Sequence, residues 1–132
     1  MNLLRCLACC TVLSLLAVSW GCAPQLVTVT GTVVKGGQPI ALSATGALQV
    51  TLIPDVPPDA AYTTYVGRCD PATGRFEVLE VPPGRYKIAI EQWDPNPMTD
   101  KLRGAFNAGN TKFVHEIDGK SAVAIDLDQP PG

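Results

Sequence analysis

The side chains that could take part in catalysis are few and far apart in the sequence. Cys69 is the one cysteine beyond position 22, and His115 is the one histidine of the chain. Ser43 and Ser121 are the serines beyond position 22. A serine hydrolase needs a nucleophile, a base and an orienting acid, and neither serine lies in a Gly-x-Ser-x-Gly turn. We therefore predict that the protein is not an enzyme.

A structural role explains the cysteine and the histidine more simply than a catalytic role does. A cysteine reacts as its thiolate, which requires a setting that lowers the pKa of the thiol, and the sequence around Cys69 indicates no such setting. We predict that Cys69 is a small apolar side chain near a strand end. His115 shares a predicted strand face with Phe113 and Ile117, so we expect a half-buried structural histidine.

Two groups of acidic side chains could bind a hard cation such as Ca²⁺. The first is Asp94 with Asn96 and Asp100, and the second is Asp126 with Asp128. Neither group has the twelve-residue spacing of an EF-hand loop. The second group alternates with apolar residues, as solvated strand residues do, and the first stays open as an alternative. We predict no metal and no cofactor.

The longest stretch without a strand pattern, residues 93–111, is a candidate binding loop. A connection of this length in a compact domain is often functional, and aromatic and Arg side chains are common anchors of contact surfaces. Alternatively, Leu102 and Phe106 plug the open end of the fold. Thr99 stands where it could cap a short helical turn. The candidate contact residues are Trp93, Met98, Leu102, Arg103 and Phe106.

The elements that must position these residues are short strands. Apolar and polar residues alternate in segments separated by Gly, Pro, Asn and Asp, which is the all-β pattern. In the fifth segment Tyr86, Ile88 and Ile90 should face inward, and Arg85 and Lys87 should face water. The seven predicted strands cover residues 27–33, 48–52, 61–69, 76–78, 85–91, 112–117 and 121–128.

Two turns suggest how consecutive strands pair. Residues 70–74 read Asp-Pro-Ala-Thr-Gly, in which Pro presets φ and Gly accepts a left-handed conformation, so we expect the third and fourth strands to form a hairpin. Residues 118–120 read Asp-Gly-Lys and predict a hairpin of the last two strands. Seven regularly spaced short strands favour a seven-stranded Greek-key β-sandwich.

The N-terminus has the layout of a bacterial secretion signal. Arg5 precedes an apolar run at residues 6–20, and Gly21-Cys22 closes the segment. The run is shorter than the about 20 residues that span a bilayer comfortably, and the order of charged, apolar and small residues is that of a cleaved signal. We therefore predict a signal peptide at residues 1–21.

Cys22 resembles the acylated cysteine of bacterial lipoproteins. The resemblance implies two or three acyl chains on this residue, which hold a protein on a membrane, and a tether over residues 22–25. An ordinary secretory signal, cut after Ser19 or Ala23, is the alternative. Ala23 stands where, in well-studied lipoprotein sorting, Asp retains proteins at the inner membrane. The resemblance therefore implies a lipid anchor in the cell envelope, at the outer membrane or its periplasmic face.

Size and charge exclude some partners. Of the 132 residues, 111 follow position 21, a normal size for one domain. They carry 9 Lys and Arg against 12 Asp and Glu. The basic surface of a nucleic-acid-binding protein is therefore absent, and we predict no nucleic-acid partner.

Three sequence blocks resemble the carboxypeptidase regulatory-like, or transthyretin-like, β-sandwich domain. They are Val-Thr-Gly-Thr-Val at 29–33 with Gly-Gln-Pro-Ile at 37–40, Cys-Asp to Gly-Arg-Phe at 69–76, and Val-Pro-Pro-Gly-Arg-Tyr-Lys-Ile at 81–88. The resemblance implies a single such domain at residues 26–132. The whole chain is also similar to small bacterial lipoproteins of this type, most of them functionally uncharacterised, so the resemblance implies a fold and almost no mechanism.

Two activities of related sandwiches can be tested against these residues. Transthyretin-like hydroxyisourate hydrolases use several histidines, and this chain has only His115. Collagen-adhesin-type repeats join a Lys to an Asn with the help of a buried acid. Lys35, Asn110 and Glu91 are the residues available for such a crosslink, but Lys35 and Glu91 are both expected to be exposed.

These observations favour a lipid-anchored, non-catalytic binding or structural module of the cell envelope. Its partner would be another envelope protein or a surface polymer. A carbohydrate-binding module is the alternative, with Tyr62, Tyr65 and Trp93 as its stacking platform.

Overall fold

The computed structural model describes Gly21 and residues 23–95 and 99–131. This part of the chain is all-β, and it contains no helix and hence none that could cross a bilayer. The predicted signal peptide up to residue 20 and the lipidation residue Cys22 lie outside the described residues. The strands are β1 (Val27–Lys35), β2 (Gln38–Pro39), β3 (Ala47–Pro54), β4 (Tyr65–Arg68), β5 (Arg75–Val81), β6 (Gly84–Trp93), β7 (Val114–Ile117) and β8 (Val123–Asp126).

The strands form two sheets of four. In the first sheet, the central strand β1 pairs in antiparallel fashion with β5 and with the short β2, and in parallel with β8. The second sheet has the order β4-β3-β6-β7, and all its pairs are antiparallel. The longest ladder joins β3 to β6 over eight residue pairs, from Ala47 with Trp93 to Pro54 with Tyr86.

The core lies between the two sheets, as in a β-sandwich. The predicted alternation is confirmed, because β1 contributes Val29 and Val33 to the core while its threonines point outward or lie half-buried. In the second sheet the residues expected to face inward are fully or almost fully buried. The core residues of β3 and β6 are Leu48, Val50, Leu52, Tyr86, Ile88 and Ile90.

The strand count and the strand lengths differ from the prediction. There are eight strands in the described residues rather than seven, because Gln38–Pro39 forms a two-residue strand at the end of β1. The strand expected at 61–69 is only Tyr65–Arg68, and that expected at 121–128 is only Val123–Asp126.

In neither predicted hairpin do the two strands pair with each other in one sheet, so both pairing predictions are wrong. β4 pairs with β3 and β5 pairs with β1, and the two strands are joined only by an isolated bridge between Cys69 and Phe76. β7 pairs with β6, whereas β8 crosses to the first sheet and runs parallel to β1. The turns are nevertheless tight, with φ of 70° at Gly74 and 74° at Gly119.

The residues 70–74 form a corner at which the chain passes from the second sheet to the first. The amide of Asp70 donates to the carbonyl of Arg75 at 2.7 Å, and the amide of Gly74 donates to the carbonyl of Asp70 at 2.8 Å. The Gly74 carbonyl accepts from the amide of Val33 at 2.8 Å. This corner therefore joins the outer faces of β4, β5 and β1 into one surface.

Candidate functional site

An open groove with a volume of about 640 Å³ crosses the outer face of the first sheet. The register places Thr32 of β1 between Arg75 of β5 and Ala124 of β8, and it places Thr30 beside Glu77. Because successive strand residues alternate between faces, these side chains share the outer face. The groove is lined by Thr30, Gly31, Thr32, Arg68, Asp70, Arg75, Phe76, Glu77, Ala122, Val123 and Ala124.

Small side chains form the floor of this groove and charged side chains form one wall. Thr30, Thr32 and Ala124 are short, so the sheet surface is recessed along β1 and β8. Arg75 rises from β5, and Arg68 rises from the end of β4 at the corner. The groove therefore combines hydroxyl groups with long, exposed, charged side chains.

The two arginines of the wall are free to contact a ligand. Arg68 and Arg75 are exposed, and neither forms an ion pair with another described residue. Asp70 is occupied by the turn, because its Oδ1 accepts from the amides of Ala72 at 2.7 Å and Thr73 at 3.3 Å. Free guanidinium groups suit carboxylate or phosphate oxygens, which they bind in bidentate fashion.

The predicted binding loop is partly packed against the fold. Leu102 and Phe106 are half-buried and pack on the core, and the Phe106 ring lies 5.6 Å from that of Phe113. The Phe106 carbonyl accepts from the amide of Ile90 at 2.8 Å. The alternative that these two residues plug the fold therefore describes them better than a free contact surface does.

The other predicted contact residues of this loop do not form a cluster with them. Arg103 is exposed with a φ of 52°, and Trp93 is half-buried at the end of β6. Met98 lies outside the described residues. Arg103 is thus the one predicted contact residue of the described part of the loop that is fully available to a partner.

Asp100 organises this loop instead of Thr99. Its Oδ1 accepts from the amides of Gln92 and Leu102, both at 3.0 Å, and its Oδ2 accepts from the amide of Gly104 at 2.8 Å. The segment after it consists of turns and not of a helix. The predicted Thr99 cap is therefore wrong, because the longer carboxylate of Asp100 reaches three amides at once.

Asp94 joins this loop to the segment before β3. Only 3% of its surface is exposed, and its Oδ2 accepts from the amide of Ser43 at 3.0 Å and from Nζ of Lys101 at 3.3 Å. The Ser43 hydroxyl makes a short hydrogen bond to Oδ1. The hydroxyl and amide of Ser43, followed by Lys101, hold the pKa of the Asp94 carboxyl below its usual value.

Replacing Ser43 with alanine should destabilise the protein at neutral pH and by less in acid. The unfolded carboxyl has a pKa of about 3.8, so the stabilisation by the lowered pKa is complete above this value and is lost as the pH falls through the folded pKa. We expect the Tm of Ser43→Ala to be roughly 5 °C lower than that of the wild type at pH 7. The difference should shrink near pH 3, as measured by thermal unfolding followed by circular dichroism.

The exposed Ser121→Ala is the matched control for this experiment. Asp118 and Asp126 also have lowered pKa values, because each accepts backbone hydrogen bonds. Their titration is common to all three proteins and cancels in the comparison. An equal loss of Tm at both pH values would contradict a role for the Asp94 carboxylate.

Asp126 was expected to be solvated, and it instead organises a turn. Its Oδ1 accepts from the amides of Gly36 at 2.9 Å and Asp128 at 3.0 Å, and its Oδ2 accepts from the amide of Gly37 at 3.0 Å. The positive φ angles of both glycines, 59° and 76°, bring their amides to one carboxylate. The prediction for Asp126 is wrong, whereas Asp128 is exposed as expected.

The calcium alternative finds no support in the described geometry. No group of three or more metal-ligating side chains occurs in the part of the chain that the structure describes. The carboxylates of Asp94 and Asp100 already accept hydrogen bonds from donors of the protein. The ammonium group of Lys101 lies 3.3 Å from Asp94 Oδ2, where it would repel a bound cation. Asn96, the third member of the predicted group, lies outside the described residues.

Among the described residues, neither the Cys69 thiol nor the His115 imidazole has the partners of a catalytic group. Burial raises the pKa of the Cys69 thiol to about 12, so the thiol is protonated and unreactive at neutral pH. His115 lies opposite Tyr86 on the inner face, half-buried as predicted, and its desolvation lowers its pKa. The Ser43 hydroxyl donates to the Asp94 carboxylate and not to the imidazole of His115.

Two further hypotheses from the sequence fail on geometry. A Lys–Asn crosslink requires a desolvated lysine, but Lys35 and Asn110 are exposed. The aromatic platform fails because Tyr65 lies level with Leu52 of β3 and Trp93 level with Ala47, which separates them by about 17 Å along the strand. The two rings also lie on opposite faces of the second sheet.

The groove was not predicted, although the sequence holds a signal for it. Threonines at 28, 30 and 32 of β1, Ala124 of β8 and Ala122 just before β8 occupy outward positions. Outward positions of a solvated sheet usually carry long polar side chains. A run of small outward residues on two strands indicates a recessed surface only when the strands are known to be neighbours, and the β1–β8 pairing is not visible in the sequence.

The chain matches no protein-family model, no curated protein and no solved structure. The resemblance to the carboxypeptidase regulatory-like domain therefore stays a prediction.

Proposed function

We propose that the protein is a lipid-anchored, non-catalytic binding module of the cell envelope, whose contact surface is the groove on the first sheet. The observation that carries this proposal is that two arginines without an ion-pair partner among the described residues stand beside a recessed floor of threonines. The most suitable ligand is a linear surface polymer that bears hydroxyl and carboxylate groups.

The anchor is supported by the sequence before the fold. Gly21-Cys22 follows an apolar run of signal-peptide length, and β1 begins only five residues later, at Val27. A lipid on Cys22 would thus hold the sandwich close to a membrane surface. The location would be the outer membrane or its periplasmic face, as the residue after the cysteine implies.

A binding role is favoured over catalysis by the state of the candidate nucleophiles. The Cys69 thiol is buried and has a raised pKa, and the Ser43 hydroxyl is held by Asp94. The groove itself contains no histidine and no cysteine. A ligand in it would meet hydroxyls and fixed charges, which can orient a polymer but cannot supply an activated nucleophile.

We also infer that the fold is a Greek-key sandwich of the transthyretin-like type. Support comes from the crossings between sheets, because β5 and β8 leave their sequence neighbours and join β1. The short strand β2 would be an addition to the seven strands of that topology, formed where the chain turns back after β1.

Arg75→Gln should weaken binding of the polymer about tenfold, the effect of losing about 1.4 kcal/mol of binding free energy. Glutamine is shorter than arginine but stays polar, and it removes the charge and the fork of donors. The measurement is co-sedimentation of the protein with insoluble cell-wall polymer from the same cells. The protein is extracted from membranes, and its acyl chains are verified by intact mass. The fraction bound is determined at increasing polymer concentration.

Arg103→Asn is the matched control, because Arg103 is the exposed arginine of the predicted binding loop and asparagine tolerates its positive φ. The proposal requires Arg103→Asn to bind as the wild type does. If Arg103→Asn loses binding and Arg75→Gln does not, the loop is the contact surface and the groove assignment is wrong. If the wild type does not sediment with any polymer fraction, a protein partner becomes the better hypothesis.

A further inference from the structure

The predicted anchor fixes which end of the sandwich is near the membrane. Cys22 and Val27 are five residues apart, and a fully extended chain covers at most about 3.5 Å per residue. The first residue of β1 therefore lies within about 17 Å of an acylated Cys22. We call the end at which β1 begins the tether end.

The strand register identifies the other segments at the tether end. Val27 pairs with Val81, so the turn between β5 and β6 lies there. Gly119 packs against Val27, which brings the connection between β7 and β8 to the same end. Pro54 pairs with Tyr86 near the start of β6, so the loop 55–64 begins there.

The loop 93–111 begins at the opposite end. β6 starts at the tether end with Gly84 and ends with Trp93. Nine residue steps along a strand cover about 30 Å. Lys35, the last residue of β1, also lies at this far end, as does the corner at residues 70–74, which contacts Val33.

Of the five exposed large apolar side chains in the described residues, four lie at or near the tether end, and the fifth, Val66, is exposed on β4. Leu26 is 51% exposed, and Val56 and Tyr62 of the loop 55–64 are 41% and 54% exposed. Leu79 lies two residues before the end of β5, at an irregularity of its pairing with β1. Of the described residues, none in the far-end turns is a large hydrophobic side chain with comparable exposure. Water is a poor solvent for such a set of side chains.

The charges at the tether end do not require an anionic partner. Asp55 forms ion pairs with Arg85 at 3.0 Å and with Lys87 at 3.7 Å. Further charged residues of the tether-end segments include the acidic Asp59, Glu80 and Asp118 and the basic Lys120, so this end has no excess of basic residues. Attraction to a membrane would therefore come from apolar burial and not from a basic surface.

We propose that the tether end lies on the lipid bilayer, with Leu26, Val56 and Tyr62 inserted at the interface as a second contact beside the acyl chains. This inference rests on the proposed lipid anchor. Tyrosine suits the interface because its ring is apolar and its hydroxyl is polar. The short tether keeps these side chains within reach of the bilayer. The loop 93–111 then begins at the end away from the membrane, and the groove lies on the side of the sandwich.

The test places a single tryptophan at either end of the sandwich. After removal of the signal peptide, Trp93 is the one tryptophan of the chain, and it reports on the far end. Tyr62→Trp combined with Trp93→Phe moves the fluorophore to the tether end. The protein is extracted from membranes and reconstituted into phosphatidylcholine vesicles whose acyl chains carry bromine, a collisional quencher.

We expect about a twofold loss of emission for the Tyr62→Trp protein, because its ring would lie at the headgroup level, and no loss for the wild type. Adding phosphatidylglycerol should change neither result, because the tether end has no excess of basic residues. Introducing Leu26→Ser and Val56→Ser into the Tyr62→Trp protein should reduce the quenching, and these exposed positions leave the core intact.

The intact mass of the protein in the same samples distinguishes failure of the lipid-anchor hypothesis from failure of the membrane-contact hypothesis. If Cys22 carries acyl chains and Tyr62→Trp is not quenched, the sandwich stands off the bilayer, so the inference is wrong and the anchor stands. Equal quenching at both positions also contradicts the inference, since it would mean that no end is preferred. If Cys22 carries no acyl chain, the anchor is wrong, and the membrane contact proposed here is wrong with it.

Discussion

Gly31→Ala should abolish or severely impair folding. A Cβ atom at this position would lie 2.3 Å from the carbonyl oxygen of Val123 and 2.6 Å from the ring of Phe76. The first of these is a backbone atom of β8, so the clash cannot be relieved by a side-chain rotation. Relief requires β1 and β8 to separate and the Phe76 ring to move as well. We expect a cost of about 3 to 5 kcal/mol, against the about 5 to 15 kcal/mol that a whole domain has.

The measurement is urea unfolding followed by circular dichroism, together with the soluble yield. Gly109→Ala is the control, since its nearest neighbour would be an ordinary 3.6 Å contact with the Asn107 side chain. That variant should be neutral or slightly more stable, because alanine reduces the entropy of the unfolded chain. Wild-type stability of Gly31→Ala would mean that β8 does not lie as close to β1 as described.

Leu52→Ala should cost about 2 to 5 kcal/mol of unfolding free energy. Leu52 is 0% exposed and lies in the middle of the core between β4 and β6. Truncation removes buried methyl groups and leaves a cavity that neighbouring strands cannot close, since their backbones are held by ladder hydrogen bonds.

Leu79→Ala is the same substitution at a position that is 60% exposed. We expect it to change the unfolding free energy by less than about 0.5 kcal/mol. Both variants are compared by urea unfolding at one pH, with the slope of free energy against urea concentration checked for equality. Similar losses at the two positions would contradict the described separation into a core face and a solvent face.

The faces of the strands could be predicted from the sequence, because burial follows a period of two. Ile88 and Ile90 are buried and Arg85 and Lys87 exposed, as alternation requires. The partners of the strands could not be predicted. The turns at 70–74 and 118–120 have the local chemistry of hairpins, but local chemistry does not specify which sheet the next strand joins.

The candidate site was harder to predict than the fold for the same reason. Its wall comes from Arg68 and Arg75, and its floor comes from strands that are neighbours in space and distant in sequence. The loop 93–111 was recognisable by its length. Its apolar residues Leu102 and Phe106, however, pack against the core and do not form a contact surface. Composition alone does not distinguish an aromatic residue that binds a partner from one that closes a core.

The parallel pairing of β1 and β8 determines how the protein would respond to mechanical tension. β1 begins at the tether end and β8 ends at the far end, where Asp126 lies beside Val34. A force applied between a membrane-held N-terminus and a load on the segment after β8 would pull the two strands along their length in opposite directions. The bonds of the ladder would then be sheared together and not opened one by one, so the pair resists extension as a unit. A single-molecule pulling experiment in this geometry should give a higher rupture force than one that pulls across the two strands.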